Sequence, residues 1–146
     1  PNDILAGDKK LSGILTEMKV DTDAIEFIIT GIGININATL EDYPPELHST
    51  VTSLNIILNR ITDRNDFIAL LLSNFEKYYN RFLQGEFSGI LTTWKEQADI
   101  VNREIKVQQF NEIFSGRVID LIEDGNLIVD TGVEIRTVNS GDINYL

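Results

Sequence analysis

Two short apolar runs near the start of the chain predict adjacent β-strands. Residues 9–17 (KKLSGILTE) and 27–35 (FIITGIGIN) are rich in apolar and β-branched residues and are bounded by turn formers. We expect strands over residues 10–19 and 26–36, each buried in part on both faces, as in a sheet covered by helices. Glycine weakens a strand interior unless the backbone bends or a ligand approaches closely. The glycines in these runs therefore indicate either a bulged strand or the floor of a ligand site.

In the middle of the chain the apolar spacing changes to three and four positions, which is typical of helices. Ser53, together with Thr52, can cap a first short helix. Asp63 can cap a longer helix, which Gly85 ends. Residues 87–98 carry similar spacing and predict a third helix. We expect these helices to cover the first sheet.

Short apolar runs separated by tight turns occupy the end of the chain, and they predict a small antiparallel barrel of the SH3-like kind. The runs lie at residues 105–109, 113–122, 126–130, 133–137 and 143–145, with turns at 110–112, 124–125 and 131–132. The expected fold class is therefore α+β: part of a mixed β-sheet covered by helices, followed by a small SH3-like β-barrel. We place the junction between the two parts near Asn102.

Composition narrows the classes of function. The 146 residues carry a net charge of −11 and no cysteine. The lack of thiols excludes disulfides and thiol chemistry, and the acidic balance argues against contact with nucleic acid or an anionic membrane by this chain. No run reaches the roughly 20 apolar residues of a membrane span and no signal peptide opens the sequence, so we expect a cytoplasmic protein. Because the first residue is Pro1 and not Met, we also expect a fragment of a longer protein.

Residues with obvious catalytic chemistry are few. Lys9 and Lys10 offer a local positive patch to an anionic ligand, although such a pair of lysines on its own is more often a solvated strand end. The single histidine, His48, lies in a polar loop with no visible partner, and we interpret it as a surface residue. One histidine and no cysteine argue against a zinc site. Gly31 and Gly33 end a strand, but no third glycine and helix follow, so they do not form a dinucleotide-binding motif.

Taken in order, four segments resemble the successive motifs of the biotin protein ligases. They are PND at residues 1–3, KLSGIL at 10–15, GIGIN at 31–35 and TSL at 52–54. The Trp94 helix and the end of the chain around Gly141 also resemble that family. The resemblance covers almost the whole chain. It implies that residues 1–102 are the C-terminal portion of a biotin/lipoate ligase-like catalytic domain and that residues 103–146 are the SH3-like C-terminal domain.

The resemblance implies a reaction in two steps. Biotin and ATP form biotinyl-5'-AMP, with Mg accompanying the nucleotide, and the biotinyl group then passes to a lysine of an acceptor. The acceptor that the family implies is the biotin carboxyl carrier protein of acetyl-CoA carboxylase. A homodimer formed through a sheet edge is a further expectation.

Several residues take roles by resemblance. Lys10 is the expected catalytic residue, beside the biotin carboxyl group and the α-phosphate, where an ammonium group neutralises developing charge. Asn35 is expected near the base of the adenylate or its Mg, and the glycines leave space for the ligand. The expected biotin-binding residues are Lys10, Leu11, Gly13 and Ile14, and the expected adenylate-binding residues are Asn2, Lys10, Gly33 and Asn35.

One family element is not in this sequence: the Gly-Arg-Gly-rich loop that closes over biotin and the adenylate and lies before the PND motif. Without that loop the reactive mixed anhydride is open to water, so we expect that this chain alone cannot complete the reaction. Two other interpretations stay open. The chain could be a non-catalytic interaction module that uses its barrel, or a fragment of a lipoate-type ligase.

Overall fold

A computed structural model of the chain describes residues 2–22, 24–109 and 111–146. Pro1, the first residue of the PND motif, lies outside the described residues. So do Asp23 and Phe110, which belong to two of the expected turns. The chain divides into two compact units, residues 1–71 and residues 72–146.

The first unit contains a three-stranded antiparallel sheet in the order β1-β2-β3. Its strands are β1 (Asp3–Ala6), β2 (Lys9–Asp21) and β3 (Ala24–Ile34). The turn between β1 and β2 passes through Gly7, whose φ of +60° suits glycine. Both strands expected from the apolar runs are confirmed, and they form one long hairpin.

Burial of the hairpin differs from the expectation. Every residue of β3 from 24 to 33 is exposed, including Phe27 at 45% and Ile29 at 56%. The prediction that both strands are partly buried on both faces is therefore wrong for β3. The apolar run is still compatible with a strand, because β-branched residues suit pleated backbone on either face. However, the described part of the chain buries none of residues 24–33 of β3.

Local signals set the helices as expected. Two short 3₁₀ turns, Leu40–Asp42 and Pro45–Leu47, occupy the polar loop after β3. The helices are α1 (Leu54–Leu58), α2 (Arg64–Leu83) and α3 (Phe87–Ala98). Ser53 Oγ accepts the Ile56 N–H at 3.1 Å, and Asp63 accepts the Asp66 N–H at 3.2 Å, so both predicted N-caps are confirmed. No helix formed by the described residues is long and apolar enough to cross a membrane.

The second unit contains an antiparallel five-stranded sheet in the order β7-β6-β5-β4-β8. Its strands are β4 (Glu104–Gln109), β5 (Glu112–Leu121), β6 (Leu127–Asp130), β7 (Ile135–Val138) and β8 (Asp142–Tyr145). Alternate residues of β4 point inward, and Ile105 and Val107 are fully buried. Leu91 and Trp94 of α3 pack against this core. The α3 helix thus covers the second sheet.

An ion pair also joins α3 to β5. Lys95 Nζ donates to Asp120 Oδ1 at 2.6 Å. This hydrogen bond holds the pKa of Asp120 below its usual value.

The α+β class is confirmed, with two refinements. Strand pairing within both described sheets is antiparallel, and the parallel contribution is a single bridge between Lys10 and Val51. The second sheet is open and not a closed barrel, since β7 pairs with β6 and β8 pairs with β4. Both of its edge strands have only four residues, which leaves little length for pairing around the circumference.

Close packing in the second sheet makes Gly116→Ala a test of the fold. A Cβ atom at Gly116 would lie 2.5 Å from the Asp130 carbonyl oxygen and 2.7 Å from Val129 Cγ1, so backbone would have to move. We expect the free energy of unfolding to fall by about 1–3 kcal/mol. Fluorescence of Trp94, the only tryptophan, follows the unfolding of this core in denaturant.

The matched control is Gly31→Ala, another glycine in a strand interior. The nearest atom to its added Cβ would be the Leu15 carbonyl oxygen at 3.8 Å, which is ordinary contact. The unfolding transition of Gly31→Ala, followed by Trp94 fluorescence, should keep the wild-type midpoint. Equal midpoints for the wild type and Gly116→Ala would contradict the packing described here.

Candidate functional site: a groove floored by glycine

An open groove of about 510 Å³ lies on one face of the first sheet. We call it the glycine groove, and it is lined by Asn2, Asp3, Lys10, Gly13, Ile14, Leu15, Gly31, Ile32 and Gly33. The strand register explains why the glycines meet, because Gly13 pairs with Gly33 and Leu15 pairs with Gly31. Directly paired residues share a face of the sheet. The two apolar runs therefore bring three glycines to one surface.

A β-bulge aims the lysine at this surface. Ile4 pairs with Ser12 but Leu5 pairs with Lys10, so Leu11 is an extra residue in β2. Regular alternation would put Lys10 and Gly13 on opposite faces. With the extra residue they share one: a Cβ atom at Gly13 would lie 3.3 Å from Lys10 Cε and 3.4 Å from Nζ. The sequence indicated a possible bulge at the glycines, and the structure places one at Leu11.

Lys10 does not stand alone in the groove. Its Nζ lies 2.7 Å from Asp3 Oδ1, and both side chains are roughly half exposed. Asp3 belongs to the PND motif, but the resemblance carried no expected role for it. Its opposite charge within a motif expected near Lys10 was the signal that could have identified it. The pair directs the ammonium group toward the groove, and its remaining N–H donors face solvent-accessible space.

Asn2 makes two hydrogen bonds to the backbone at one end of the groove. Its Nδ2 donates to the Ile14 carbonyl at 3.1 Å, and its own carbonyl accepts the Ile14 N–H at 2.7 Å. These bonds continue the pairing of β1 with β2 beyond Asp3. Asn2 therefore holds the Asp3 end of the groove against the middle of β2.

The floor of the groove has spare room where side chains are missing. A Cβ atom at Gly33 would come no closer than 3.9 Å to its nearest neighbour, the Gly13 carbonyl oxygen. The backbone at Gly33 and Gly31 would thus accept a methyl group, which would occupy groove volume. Leu15, 65% exposed, forms an apolar part of the lining.

Leu11 and Asn35, both predicted for the site, do not line the groove. The Leu11 carbonyl accepts the Asn35 N–H at 3.0 Å, and Asn35 Nδ2 donates to the Thr52 carbonyl at 3.0 Å. The amide of Asn35 is thus directed at the segment after the polar loop. The expectation that Asn35 and Lys10 face one shared ligand site gains no support from this geometry.

His48 has partners, contrary to the interpretation of it as a surface residue. Its Nε2 lies 2.9 Å from the Tyr43 carbonyl oxygen, and its own carbonyl accepts a hydrogen bond from Lys9 Nζ at 2.8 Å. Burial, with the nearby charge of Asp42, raises the pKa of Tyr43. The hydrogen bond from Lys9 to His48 links the polar loop to the start of β2.

The groove does not fit a resident metal ion. Among residues 2–22, 24–109 and 111–146, no group of three or more His, Cys, Asp or Glu side chains could hold one. Among the described residues that line the groove, Asp3 is the one carboxylate, and it is paired with Lys10. Mg²⁺ commonly binds through one or two carboxylates together with substrate phosphates. A Mg ion at this groove would have to arrive with its nucleotide.

Comparisons with known proteins agree with the resemblance found in the sequence. Residues 100–144 match the family model described as the biotin protein ligase C terminal domain. The bifunctional ligase/repressor BirA of Bacillus subtilis is 35% identical over 143 residues, which cover 98% of this chain and 44% of that protein. The biotin--[acetyl-CoA-carboxylase] ligase of Mycobacterium tuberculosis is 27% identical over 149 residues, covering 100% of this chain and 52% of that protein.

A solved structure is also similar to this chain along its whole length. The biotin protein ligase from Aquifex aeolicus in complex with biotin and ATP superposes with a TM-score of 0.81 at 25% identity, covering 100% of this chain and 60% of that one. The chain spans less than half the length of the BirA protein and about half that of the mycobacterial ligase. The resemblance is therefore confirmed, and the chain corresponds to the C-terminal part of the biotin protein ligases.

Proposed function

We propose that the glycine groove serves the reaction of a biotin protein ligase. In the first step a carboxylate oxygen of biotin attacks the α-phosphorus of ATP, forming biotinyl-5'-AMP as pyrophosphate leaves. In the second step the amine of an acceptor lysine attacks the acyl carbon, an amide forms, and AMP and a proton are released. The observation that carries the proposal is the Lys10 ammonium held beside Asp3 above a floor of glycine.

Lys10 has the chemistry that both steps require. The attack of a carboxylate on a phosphate brings two anionic groups together, and an ammonium group nearby stabilises the charge that develops. The same group then stabilises AMP as it leaves. Its ion pair with Asp3, at 2.7 Å, favours this position before ligand arrives. A cation that is already positioned avoids reorganisation during the reaction.

The rest of the lining fits a ligand with an apolar body and an anionic group. Gly13 and Gly33 leave space close to the backbone, and the exposed side chain of Leu15 provides an apolar surface on the same face. Biotin is such a ligand, with an apolar chain that ends in a carboxylate. We assign no ligand contact to Leu11 or Asn35, and no step to Mg.

The acceptor that we propose is the biotin carboxyl carrier protein of acetyl-CoA carboxylase, and the use of ATP and this acceptor would place the reaction in the cytoplasm. The name of the mycobacterial relative supports a carboxylase acceptor. The outer edge of β3, which pairs with β2 alone among the described strands, is where we place a homodimer contact.

We expect that residues 1–146 alone transfer no biotin to the carrier protein. The groove is open, so an adenylate in it would meet water. Streptavidin blotting of the carrier after incubation with biotin, ATP and the chain checks this, with a complete biotin protein ligase as the positive control. Repeated turnover by the chain alone would contradict the expectation.

Lys10→Ala should slow biotinyl-5'-AMP formation by about 100-fold in the full-length protein, because the carboxylate and phosphate would meet without a neutralising cation. The measurement is pyrophosphate release in the presence of biotin. The control is Lys19→Ala, which removes an exposed lysine of the same strand. An unchanged rate for Lys10→Ala, in a protein whose wild-type form is active, would refute the role of Lys10.

Gly33→Ala should weaken the binding of biotinyl-5'-AMP by about tenfold without moving the unfolding midpoint. The added methyl group contacts no protein atom closely, but it takes space from the ligand. Calorimetric titration measures the affinity. Val20→Ile is the control, since it adds one methylene to an exposed position far along the hairpin. Wild-type affinity for Gly33→Ala would place the ligand elsewhere.

A further inference from the structure

Lys9 and Lys10 are adjacent in sequence but perform different tasks in the structure. Successive side chains of a strand point to opposite faces, so only Lys10 joins the glycine groove. Lys9 is partly buried, and its Nζ donates to the His48 carbonyl at 2.8 Å. Because it donates to a backbone carbonyl 39 positions away, Lys9 links two segments of the chain and is not a solvated strand end.

The segment that Lys9 fastens is the one that supports Lys10. We call residues 48–52 the return segment. The Lys10 N–H donates to the Thr50 carbonyl at 2.8 Å, and the Lys10 carbonyl accepts the Thr52 N–H at 2.9 Å. The ladder between β2 and β3 ends at Ser12, with one further hydrogen bond between Leu11 and Asn35, so the return segment takes the place of β3 beside Lys10.

Strand pairing around Lys10 is slight, although the Asn35 amide also holds the return segment through the Thr52 carbonyl, at 3.0 Å. The contact between Lys10 and the return segment is an isolated bridge, Lys10 to Val51, and not part of a longer ladder. On the other side of Lys10 the ladder with β1 is interrupted by the bulge at Leu11, and a bulge locally weakens strand pairing. The direction of the Lys10 side chain therefore depends on how firmly the return segment is held.

Lys9 provides that hold with a charged donor. Hydrogen bonds from an ammonium group are about twice as strong as neutral ones. The bond ends on His48, two residues before Thr50, and the His48 ring is itself fixed by the Tyr43 carbonyl at 2.9 Å. Removing the ammonium group would leave the carbonyl of His48 without this partner and would take away the charged bond among those that hold the return segment.

We propose that Lys9 is a positioning residue for Lys10, acting through the return segment on the direction of the Lys10 ammonium group. The inference rests on the proposed function of the groove. Lys9 does not line the groove, so it should leave ligand binding nearly unchanged and affect the chemical step. Small errors of position are costly there, since a displacement of about 1 Å can cost about 100-fold in rate.

The test compares Lys9→Met, Lys9→Arg and the control Lys19→Met in the full-length protein, with kcat and KM measured by pyrophosphate release from ATP and biotin. Met keeps much of the lysine stem but not its charge, and Arg restores a charged donor. Lys19 lies on the same strand, 57% exposed, and pairs with Glu26. We expect Lys9→Met to lower kcat about tenfold with KM for biotin within about twofold, Lys9→Arg to recover most of the rate, and Lys19→Met to match wild type.

Three results would overturn the inference. The first is a wild-type kcat for Lys9→Met. The second is a loss that Arg does not rescue and that follows the unfolding midpoint, which would make Lys9 a residue for stability alone. The third is a rise in KM with kcat unchanged, which would place Lys9 in binding. If the wild-type protein itself releases no pyrophosphate with biotin and ATP, the proposed function falls, and this inference falls with it.

Discussion

The ion pair between Lys10 and Asp3 is the interaction on which the candidate site depends. It exists because one extra residue, Leu11, turns the lysine onto the face that carries the glycines. Without the bulge, alternation along β2 would send the ammonium group to the opposite face. The groove therefore results from a local irregularity in a strand and not from a loop, and its geometry is set by backbone register.

Support for this register comes from three directions. Asn2 continues the pairing of β1, β3 fixes β2 from Ser12 onward, and the return segment holds Lys10 at the end of β2. The side chains that are fully or almost fully buried in this part of the described chain are polar: Ser12, Thr52 and Ser53. The hydrophobic core residues of the described chain lie between Ile100 and Val138. The first unit is thus ordered around its strand junction by hydrogen bonds, while its hairpin exposes apolar side chains.

Much of the fold could be predicted from sequence because its signals are local. Ser53 and Asp63 cap helices through neighbouring backbone N–H groups, and Gly85 follows α2 with a φ of +77°. The strands of the second unit follow from alternation and turn residues. Burial of β3 could not be predicted in this way, because an apolar run indicates a strand without specifying what covers it.

The site was predictable in composition but not in detail. Motif order identified five residues that line the groove: Asn2, Lys10, Gly13, Ile14 and Gly33. The bulge, the partner of Lys10 and the fastening by Lys9 depend on pairing between segments distant in sequence, which no single run encodes. For the same reason Asn35, two positions after Gly33 in the motif, was assigned to the ligand, although its amide donates to the Thr52 carbonyl.

The most direct test is a crystal structure of the protein with biotinyl-5'-AMP bound. We expect the adenylate to lie in the glycine groove, with its phosphate within hydrogen-bonding distance of Lys10 Nζ and its biotinyl group against Gly13 and Gly33. An adenylate bound away from this face of the first sheet, or a Lys10 ammonium group that makes no contact with it, would contradict the account.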